Sequence, residues 1–268
     1  MRFVTTLAAL VAMAFAACVG VPKQLPDPVL RLHGHNDYLQ PVPCTRALEI
    51  GLGSIEADVF PVDGELLVGH ERWQLRRWRT LRSMYLEPLA DAVRERGMLR
   101  ADGEPLVLLV DVKDGPVEAW RLLQAQLAEY AGMLTRFIDG RVEPGEVTVL
   151  LSGKRPVSAV AASASRLCAL DGRLRDLDRE PPPPVDLVPW ISSPWRAVSD
   201  WAGSDELMPG ELARLRALIA KAHAQGRELR FWGAPDRKEA WRAFLDLGID
   251  HIDTDQPANA ARFLRGSD

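Results

Sequence analysis

Hydrophobic residues fall in short blocks along this chain, and most blocks are followed by a few polar residues and then by a stretch with helical spacing. Residues 106–110 and 147–151 are blocks of this kind, made mostly of leucine and valine. Unbroken aliphatic blocks of that length are typical of parallel strands covered on both faces. Stretches such as 211–225 instead place their large apolar residues on one helical stripe. The pattern predicts about eight strands separated by helices.

The stretch 54–60 follows a different rule, because apolar and polar residues alternate along it. This alternation predicts a strand that projects Glu56 and Asp58 from the same face, roughly 6–7 Å apart. Asp63-Gly64 then predicts a tight turn into a second apolar block that ends at His70. We therefore expect a β-hairpin directly after the second strand.

Repeated strand–helix units without a break in composition predict one parallel sheet over residues 29–268. In parallel architectures the functional residues lie at the carboxyl ends of the strands. Eight polar or aromatic residues fall at or near such ends: His35, Glu56, Asp58, Asp111, Lys113, Ser152, Trp232 and Asp253. A closed barrel brings all of these ends to one mouth better than an open sheet does. We expect a (β/α)8 TIM barrel with a small β-hairpin insertion after strand two.

The first 28 residues differ from the rest of the chain. A basic start precedes the apolar stretch 3–17, which ends in an A-x-A pattern. This is typical of a secretory signal peptide, and Cys18 offers a lipidation site, so we expect residues 1–18 to be a signal peptide or a lipoprotein leader. Residues 19–28 are a proline-containing linker. The expected location is periplasmic or extracellular, with peripheral association to a bacterial membrane if Cys18 is lipidated.

Composition narrows the class of protein. Hydrophobic residues make up 47% of the chain and charged residues 26%, which is typical of a globular protein with a sizeable core. The formal net charge of −4 argues against a nucleic-acid partner, since such proteins usually carry a basic stripe. Two cysteines beyond the leader, Cys44 and Cys168, do not make a disulfide framework.

Three carboxylates at strand ends suggest a metal site. Glu56, Asp58 and Asp111 supply oxygen ligands, which hard divalent cations such as Mg²⁺ and Ca²⁺ prefer. Lys113 follows Asp111 on the same face and can neutralise charge on a phosphate. The expected cofactor is one divalent cation, Mg²⁺ or Ca²⁺.

Histidines complete the candidate chemistry. His35 and His70 can serve as a general acid and a general base, and together with a metal and a lysine they suggest cleavage of a phosphodiester. His33 and His35 also form an H-x-H pair of the kind found in zinc hydrolases of the amidohydrolase type. That alternative needs further histidine ligands from the middle strands, and none lies between Asp111 and Trp195.

The ordered set of motifs resembles the PLC-like phosphodiesterase superfamily, which includes glycerophosphodiester phosphodiesterases and phosphatidylinositol-specific phospholipases C. The motifs are His35-Asn36-Asp37-Tyr38, Glu56-x-Asp58, Asp63-Gly64, His70, Asp111-x-Lys113, Trp232 and Thr254-Asp255-x-Pro257. The His-Arg-Gly and Glu-Asn-Thr segments of the glycerophosphodiesterases are missing after strand one. The closer likeness is to bacterial and fungal members with a His-Asn-Asp-Tyr segment, and a bacterial member is expected.

The resemblance implies a metal-dependent phosphodiesterase that acts on a glycerophosphodiester or phospholipid-type substrate, with a cyclic phosphate as a candidate intermediate. It implies His35 and His70 as the catalytic acid/base pair. The metal ligands that it implies are Glu56, Asp58, Asp111 and Asn36. The residues that it implies for binding substrate or phosphate are Lys113, His33, Ser152 and Trp232. The expected partner is a small-molecule or lipid head-group phosphodiester.

A non-enzymatic alternative is a catalytically silent, ligand-binding barrel. Retention of both histidines and all three carboxylates at the expected places counts against it. Four tryptophans in predicted loops, Trp73, Trp78, Trp195 and Trp201, could contact lipid head groups, but local packing is the more common fate of loop tryptophans.

Overall fold

The computed structural model describes residues 29–266, so the expected leader, the linker and Cys18 lie outside the described residues. Twelve strands follow in chain order: β1 (Val29–Gly34), β2 (Leu52–Val62), β3 (Glu65–Val68), β4 (Leu106–Val112), β5 (Arg136–Ile138), β6 (Arg141–Glu143), β7 (Val147–Gly153), β8 (Ser165–Arg166), β9 (Ala169–Gly172), β10 (Trp190–Pro194), β11 (Glu228–Trp232) and β12 (His251–Thr254).

The main sheet closes on itself. β1 pairs in parallel with β12 on one side and with β2 on the other, and His33 is opposite both Asp253 and Ser54. Eight parallel strands form the barrel, in the order β1-β2-β4-β7-β9-β10-β11-β12. β3 runs antiparallel to β2, and both residues of the connecting Asp63-Gly64 turn have positive φ, as a tight hairpin requires. The predicted TIM barrel and its hairpin after strand two are confirmed.

Helices cover the outside of the barrel between most strands. They are α1 (Thr45–Ile50), α2 (Glu87–Arg96), α3 (Pro116–Glu129), α4 (Val157–Ala161), α5 (Pro209–Ala224), α6 (Lys238–Leu247) and α7 (Pro257–Leu264). A short 3₁₀ turn, Leu174–Asp178, takes the place of a helix between β9 and β10. Within residues 29–266 no helix combines the length and the apolar character that crossing a membrane requires. Cys44 and Cys168 are buried free thiols.

The ends of two elements, β10 and α2, are set by their local sequence. β10 starts at Trp190, because the amides of Leu187 and Val188 bond back to the Pro184 carbonyl in a turn. α2 ends at Arg96, because Gly97 adopts the left-handed conformation that favours glycine.

The small antiparallel sheet β6-β5-β8 was not predicted. Its hairpin turn is Asp139-Gly140, again with positive φ at both residues, so an Asp-Gly signal was present in the sequence. Phe137 on β5 is buried and packs in one cluster with barrel residues Leu109, Leu150 and Trp190. The sheet therefore contributes to the apolar floor of the barrel.

The barrel interior changes from apolar to polar toward its mouth. Leu109, Leu150, Ala169 and Trp190 form the apolar floor. Two residues further along the same four strands, on the same face, lie Asp111, Ser152, Asp171 and Ser192. This period-2 step puts a polar layer at the carboxyl ends of the strands, where the candidate site lies.

Candidate active site

Three carboxylates meet where the middle of β2 pairs with the end of β4. Asp58 is directly opposite Asp111 across the parallel pair, and Glu56 precedes it on the same face. Ligand oxygens of Glu56, Asp58 and Asp111 all lie within 4.8 Å of one another. Gly153 makes room for them, since a Cβ there would come within 2.5 Å of Asp111 Oδ1. We call these three residues the carboxylate cluster.

Lys113 neutralises part of the negative charge of this cluster. Its Nζ lies 2.9 Å from Asp58 Oδ2 and 3.1 Å from Asp111 Oδ1. Burial opposes its charge, but the two carboxylates outweigh burial and raise the pKa of Lys113. Burial and the negative charge of Glu56 raise the pKa of Asp58 despite Lys113. Asp58 Oδ1 is buried without a hydrogen-bond partner among the described residues, so the cluster retains an unsatisfied oxygen that a cation could use.

Asp58 also gathers the two loops that border the cluster. Its Oδ2 lies 2.7 Å from the Tyr38 hydroxyl and 2.8 Å from His70 Nδ1. The same hydroxyl lies 2.5 Å from Asn36 Oδ1, and Asn36 adopts the left-handed backbone conformation that asparagine tolerates. The loop after β1 and the end of the hairpin are thus fixed to one carboxylate. Asn36 and His70 therefore lie beside the carboxylate cluster.

His35 lies next to a different pair of carboxylates. Its Nδ1 is 2.8 Å from Asp255 Oδ1 and 3.9 Å from Asp253 Oδ2. Burial works to lower its pKa, but the hydrogen bond to Asp255 and the charge of Asp253 outweigh burial and raise the pKa of His35 to about 9. The imidazole is therefore protonated at neutral pH and can donate a proton.

Arg230 is the main site residue that the sequence interpretation missed. Its guanidinium is buried and donates from Nε to Asp253 Oδ1 at 2.7 Å and from Nη2 to Glu56 Oε2 at 2.6 Å. Burial disfavours ionisation of Glu56, but Arg230 and the His33 hydrogen bond hold the pKa of Glu56 well below its usual range. The signal was the alternation in β11, where Arg230 shares the inward face with Trp232.

His33 lies inside this network rather than at the open mouth. Burial and the positive charge of Arg230 lower its pKa to about 3, so the ring is neutral. A neutral ring donates from Nε2 to Glu56 Oε2 at 3.2 Å and accepts at Nδ1 from the Ser54 hydroxyl at 2.8 Å. Ligand atoms of His33, Glu56 and Asp253 also cluster, but here the Arg230 guanidinium already supplies the cation. Because both ring nitrogens have partners, His33 is a poor match for the zinc alternative.

Ser152 and Trp232, the two remaining residues expected to bind substrate, occupy different parts of the mouth. Ser152 is buried and donates to Asp171 Oδ2 at 2.7 Å, where Arg173 also donates at 2.8 Å. Asp171 Oδ1 and the Ser192 hydroxyl are buried without partners among the described residues, so this side of the mouth is polar as well. Trp232 ends β11 and is 46% exposed. The structure therefore puts Ser152 inside the mouth and Trp232 on its rim.

Comparison with known proteins identifies the family. Residues 27–170 match the AIM6-like phosphodiesterase domain, and residues 228–258 match the glycerophosphoryl diester phosphodiesterase family. The chain belongs to the AIM6-like phosphodiesterase family. A relative from Arthroderma benhamiae, named Altered inheritance of mitochondria protein 6 homolog, is 33% identical over 89% of this chain and 83% of its own length. The Eremothecium gossypii protein of that name, without "homolog", is 29% identical over 88% of this chain and 70% of its own length.

A solved structure confirms the fold of this AIM6-like protein. The glycerophosphodiester phosphodiesterase of Agrobacterium tumefaciens superposes with a TM-score of 0.51 at 14% identity, over 87% of this chain and 97% of that one. At that identity the likeness concerns the fold alone. The PLC-like superfamily that the motifs indicated is confirmed by the family matches.

Two expectations are corrected by the relatives. Those described above are fungal, so the expected bacterial membership is not supported. The expected periplasmic or extracellular location of a bacterial protein is wrong, since the names of these fungal proteins refer to inheritance of mitochondria. An apolar amino-terminal stretch was the reason for that expectation, and apolarity alone does not determine a destination.

Proposed function

We propose that this AIM6-like protein is a metal-dependent phosphodiesterase that acts on a glycerophosphodiester or a phospholipid-type substrate. One observation carries the proposal: Asp58 Oδ2 contacts both His70 Nδ1 and Lys113 Nζ, at 2.8 Å and 2.9 Å. A candidate base, a phosphate-binding cation and a carboxylate cluster thus meet at one atom. Family membership supports the same class of reaction.

The carboxylate cluster fits a hard divalent cation, Mg²⁺ or Ca²⁺. Glu56, Asp58 and Asp111 offer oxygen ligands, Asn36 adds an amide oxygen nearby, and Asp58 Oδ1 has no other partner among the described groups. When bound, the cation supplies Lewis-acid neutralisation of the phosphate oxygens. Lys113 adds a second positive charge, because its two carboxylate neighbours keep it protonated.

The two histidines differ in their partners, and this assigns their roles. His70 donates from Nδ1 to Asp58, which leaves Nε2 free to accept a proton from the attacking hydroxyl. His35 lies against Asp255 and Asp253, which stabilise its protonated form and suit it to protonate the leaving oxygen. The attacking oxygen forms a new P–O bond as the bond to the leaving alcohol breaks.

The attacking hydroxyl is proposed to belong to the substrate, next to its phosphate. Attack then gives a cyclic phosphate and releases the alcohol, which takes its proton from His35. Water opens the ring with the two roles exchanged: His35 accepts the proton of water and His70 returns one to the ring oxygen.

The test is turnover by the purified full chain. Glycerophosphodiesters and lysophospholipids, which carry a hydroxyl next to the phosphate, are screened by phosphorus NMR, which distinguishes cyclic from open products. His35→Gln and His70→Gln should each lower turnover by about 10²–10⁴-fold. His223→Gln is the matched control. His223 lies near the end of α5 and pairs with Asp250, so the turnover of this variant should remain near that of the wild type. Full activity in either mouth variant contradicts the assignment.

A further inference from the structure

The exposed tryptophans of this protein have an uneven distribution. Five of the eight are buried. Trp73 and Trp78 are each 74% exposed, and Trp232 at the mouth is the third exposed one. Local packing, expected from the sequence, is confirmed for Trp195 and Trp201 and is wrong for Trp73 and Trp78. Large aromatic side chains left in solvent mark interaction sites when they cluster.

Trp73 and Trp78 belong to the segment that follows the hairpin, and two hydrogen bonds fix this segment to the rim of the mouth. At one end, the His70 amide donates to Gln74 Oε1 at 2.8 Å, which puts the turn containing Trp73 beside His70. At the other end, Arg79 donates to the Tyr38 carbonyl at 2.5 Å, next to Trp78. Both indoles are therefore on the side of the barrel where the candidate site opens.

The loop after β1 adds apolar surface at the same place. Leu39 is 59% exposed and Val42 is 37% exposed, although Tyr38 beside them is buried against Asp58. We define the rim surface as four apolar and two basic residues: Leu39, Val42, Trp73, Trp78, Arg76 and Arg77.

Positive charge accompanies these apolar residues. Residues 71–82 contain five arginines and one glutamate, although the whole chain has a net charge of −4. Three of the arginines are committed, Arg72 to Asp114, Arg79 to the Tyr38 carbonyl and Arg82 to Glu129.

The other two arginines remain available to a partner. Arg76 donates to the backbone carbonyls of Trp73 and Leu75, with no carboxylate within ion-pair distance in the described part of the chain. Arg77 lies 3.7 Å from Asp63, and both side chains are almost fully exposed, so this pair holds little energy.

Indole rings beside guanidinium groups that make no strong ion pair match an anionic lipid surface. Tryptophan favours the boundary between water and acyl chains, and arginine pairs with lipid phosphates. We propose that the rim surface docks onto an anionic phospholipid bilayer and turns the barrel mouth toward it. A polyanion such as DNA is a poorer match, because the acidic remainder of the chain repels it and four of the six rim residues are apolar. The inference does not depend on the proposed catalysis.

The experiment uses tryptophan fluorescence of the full chain. Residues 1–28 contain no tryptophan, so quenching by brominated acyl chains reports contact by the barrel even if the amino-terminal segment binds lipid. Mixed phosphatidylcholine–phosphatidylserine vesicles should shift the emission to the blue and quench it. Arg76→Gln and Arg77→Gln should each weaken binding about fivefold, since an arginine near such a surface contributes about 1 kcal/mol.

The double variant Trp73→Ala/Trp78→Ala should weaken binding of the barrel at least about tenfold and remove the quenching. Met98→Ala is the matched control: Met98 is exposed after the carboxyl end of α2, on the opposite side of the barrel, and its variant should be quenched like the wild type. Quenching that persists in the double variant, or none in the wild type, overturns the proposal. So does equal binding to a DNA duplex, or a dimer in sedimentation that the double variant abolishes.

Discussion

Arg230 offers a direct test of how the mouth of the barrel is held together. Its side chain is 3% exposed and bonds Glu56 and Asp253 at 2.6 Å and 2.7 Å. Arg230→Met keeps most of the side-chain volume and removes the charge, which leaves two buried carboxylates without their cation. Removing one partner of a buried ion pair costs about 3–5 kcal/mol of unfolding free energy. We expect a loss in that range at neutral pH, measured by urea denaturation.

The pH dependence of this loss identifies its cause. In the wild type, Arg230 holds the pKa of Glu56 below its usual range, so this stabilisation is present above the unfolded pKa and is lost as pH falls. Burial already raises the pKa of Asp253 in the wild type despite Arg230, and without the guanidinium it raises the pKa of Glu56 above its unfolded value and that of Asp253 further. Their stabilisation is then present only at low pH and is lost as pH rises. The deficit of the variant should therefore grow between pH 4 and pH 8.

Arg227→Met is the matched control for this measurement. Arg227 is also buried, but it donates to the backbone carbonyls of Val188 and Pro183 and not to carboxylates. Its removal should destabilise the protein by a similar mechanism of unpaired polar groups, without a deficit that grows with pH. A deficit below about 1 kcal/mol for Arg230→Met, or one that is equal at pH 5 and pH 8, refutes the reasoning.

Three further predictions concern stability and metal. Burial raises the pKa of Asp37 from 3.8 to about 6, so its contribution to stability is lost as pH rises through 6. The free energy of unfolding of Asp37→Asn, measured by urea denaturation, should therefore exceed that of the wild type by roughly 3 kcal/mol at pH 8 and by little below pH 4. Phe137→Ala should cost about 3–5 kcal/mol by the same method, because it opens a cavity in the barrel floor. After EDTA treatment, Mg²⁺ or Ca²⁺ should raise the Tm of the wild type and leave that of Asp58→Asn unchanged in calorimetry.

The barrel could be predicted because local patterns in the sequence specify its strands. Unbroken aliphatic blocks such as 106–110 and the alternation around Glu56 each specify a strand, and period 2 gives the face on which the side chains lie. Asp58 and Asp111 follow from this pattern, since a parallel register puts two strand-end carboxylates side by side. Such signals need no knowledge of distant residues.

Pairings between distant strands could not be predicted in the same way. Arg230 and Glu56 are 174 positions apart, and only closure of the barrel brings β11 across from β2. The same holds for His35 and Asp255, which are 220 positions apart. Local patterns can mark Arg230 as facing inward, but they cannot say which carboxylates it neutralises. The raised pKa of His35 could therefore be inferred only once the structure showed Asp255 and Asp253 beside it.

Arg230 and Lys113 are held differently at the mouth, and this difference distinguishes a structural cation from one that a ligand can reach. Arg230 is buried and makes hydrogen bonds to two carboxylates through a rigid fork, so it is a fixed part of the barrel. The Lys113 side chain is 23% exposed and flexible, and among the described residues Asp58 Oδ1 beside it has no hydrogen-bond partner. A metal ion and a phosphate can therefore displace or share the contacts of Lys113 but not those of Arg230. The carboxylate cluster is consequently the part of the mouth whose contacts can rearrange around an added cation.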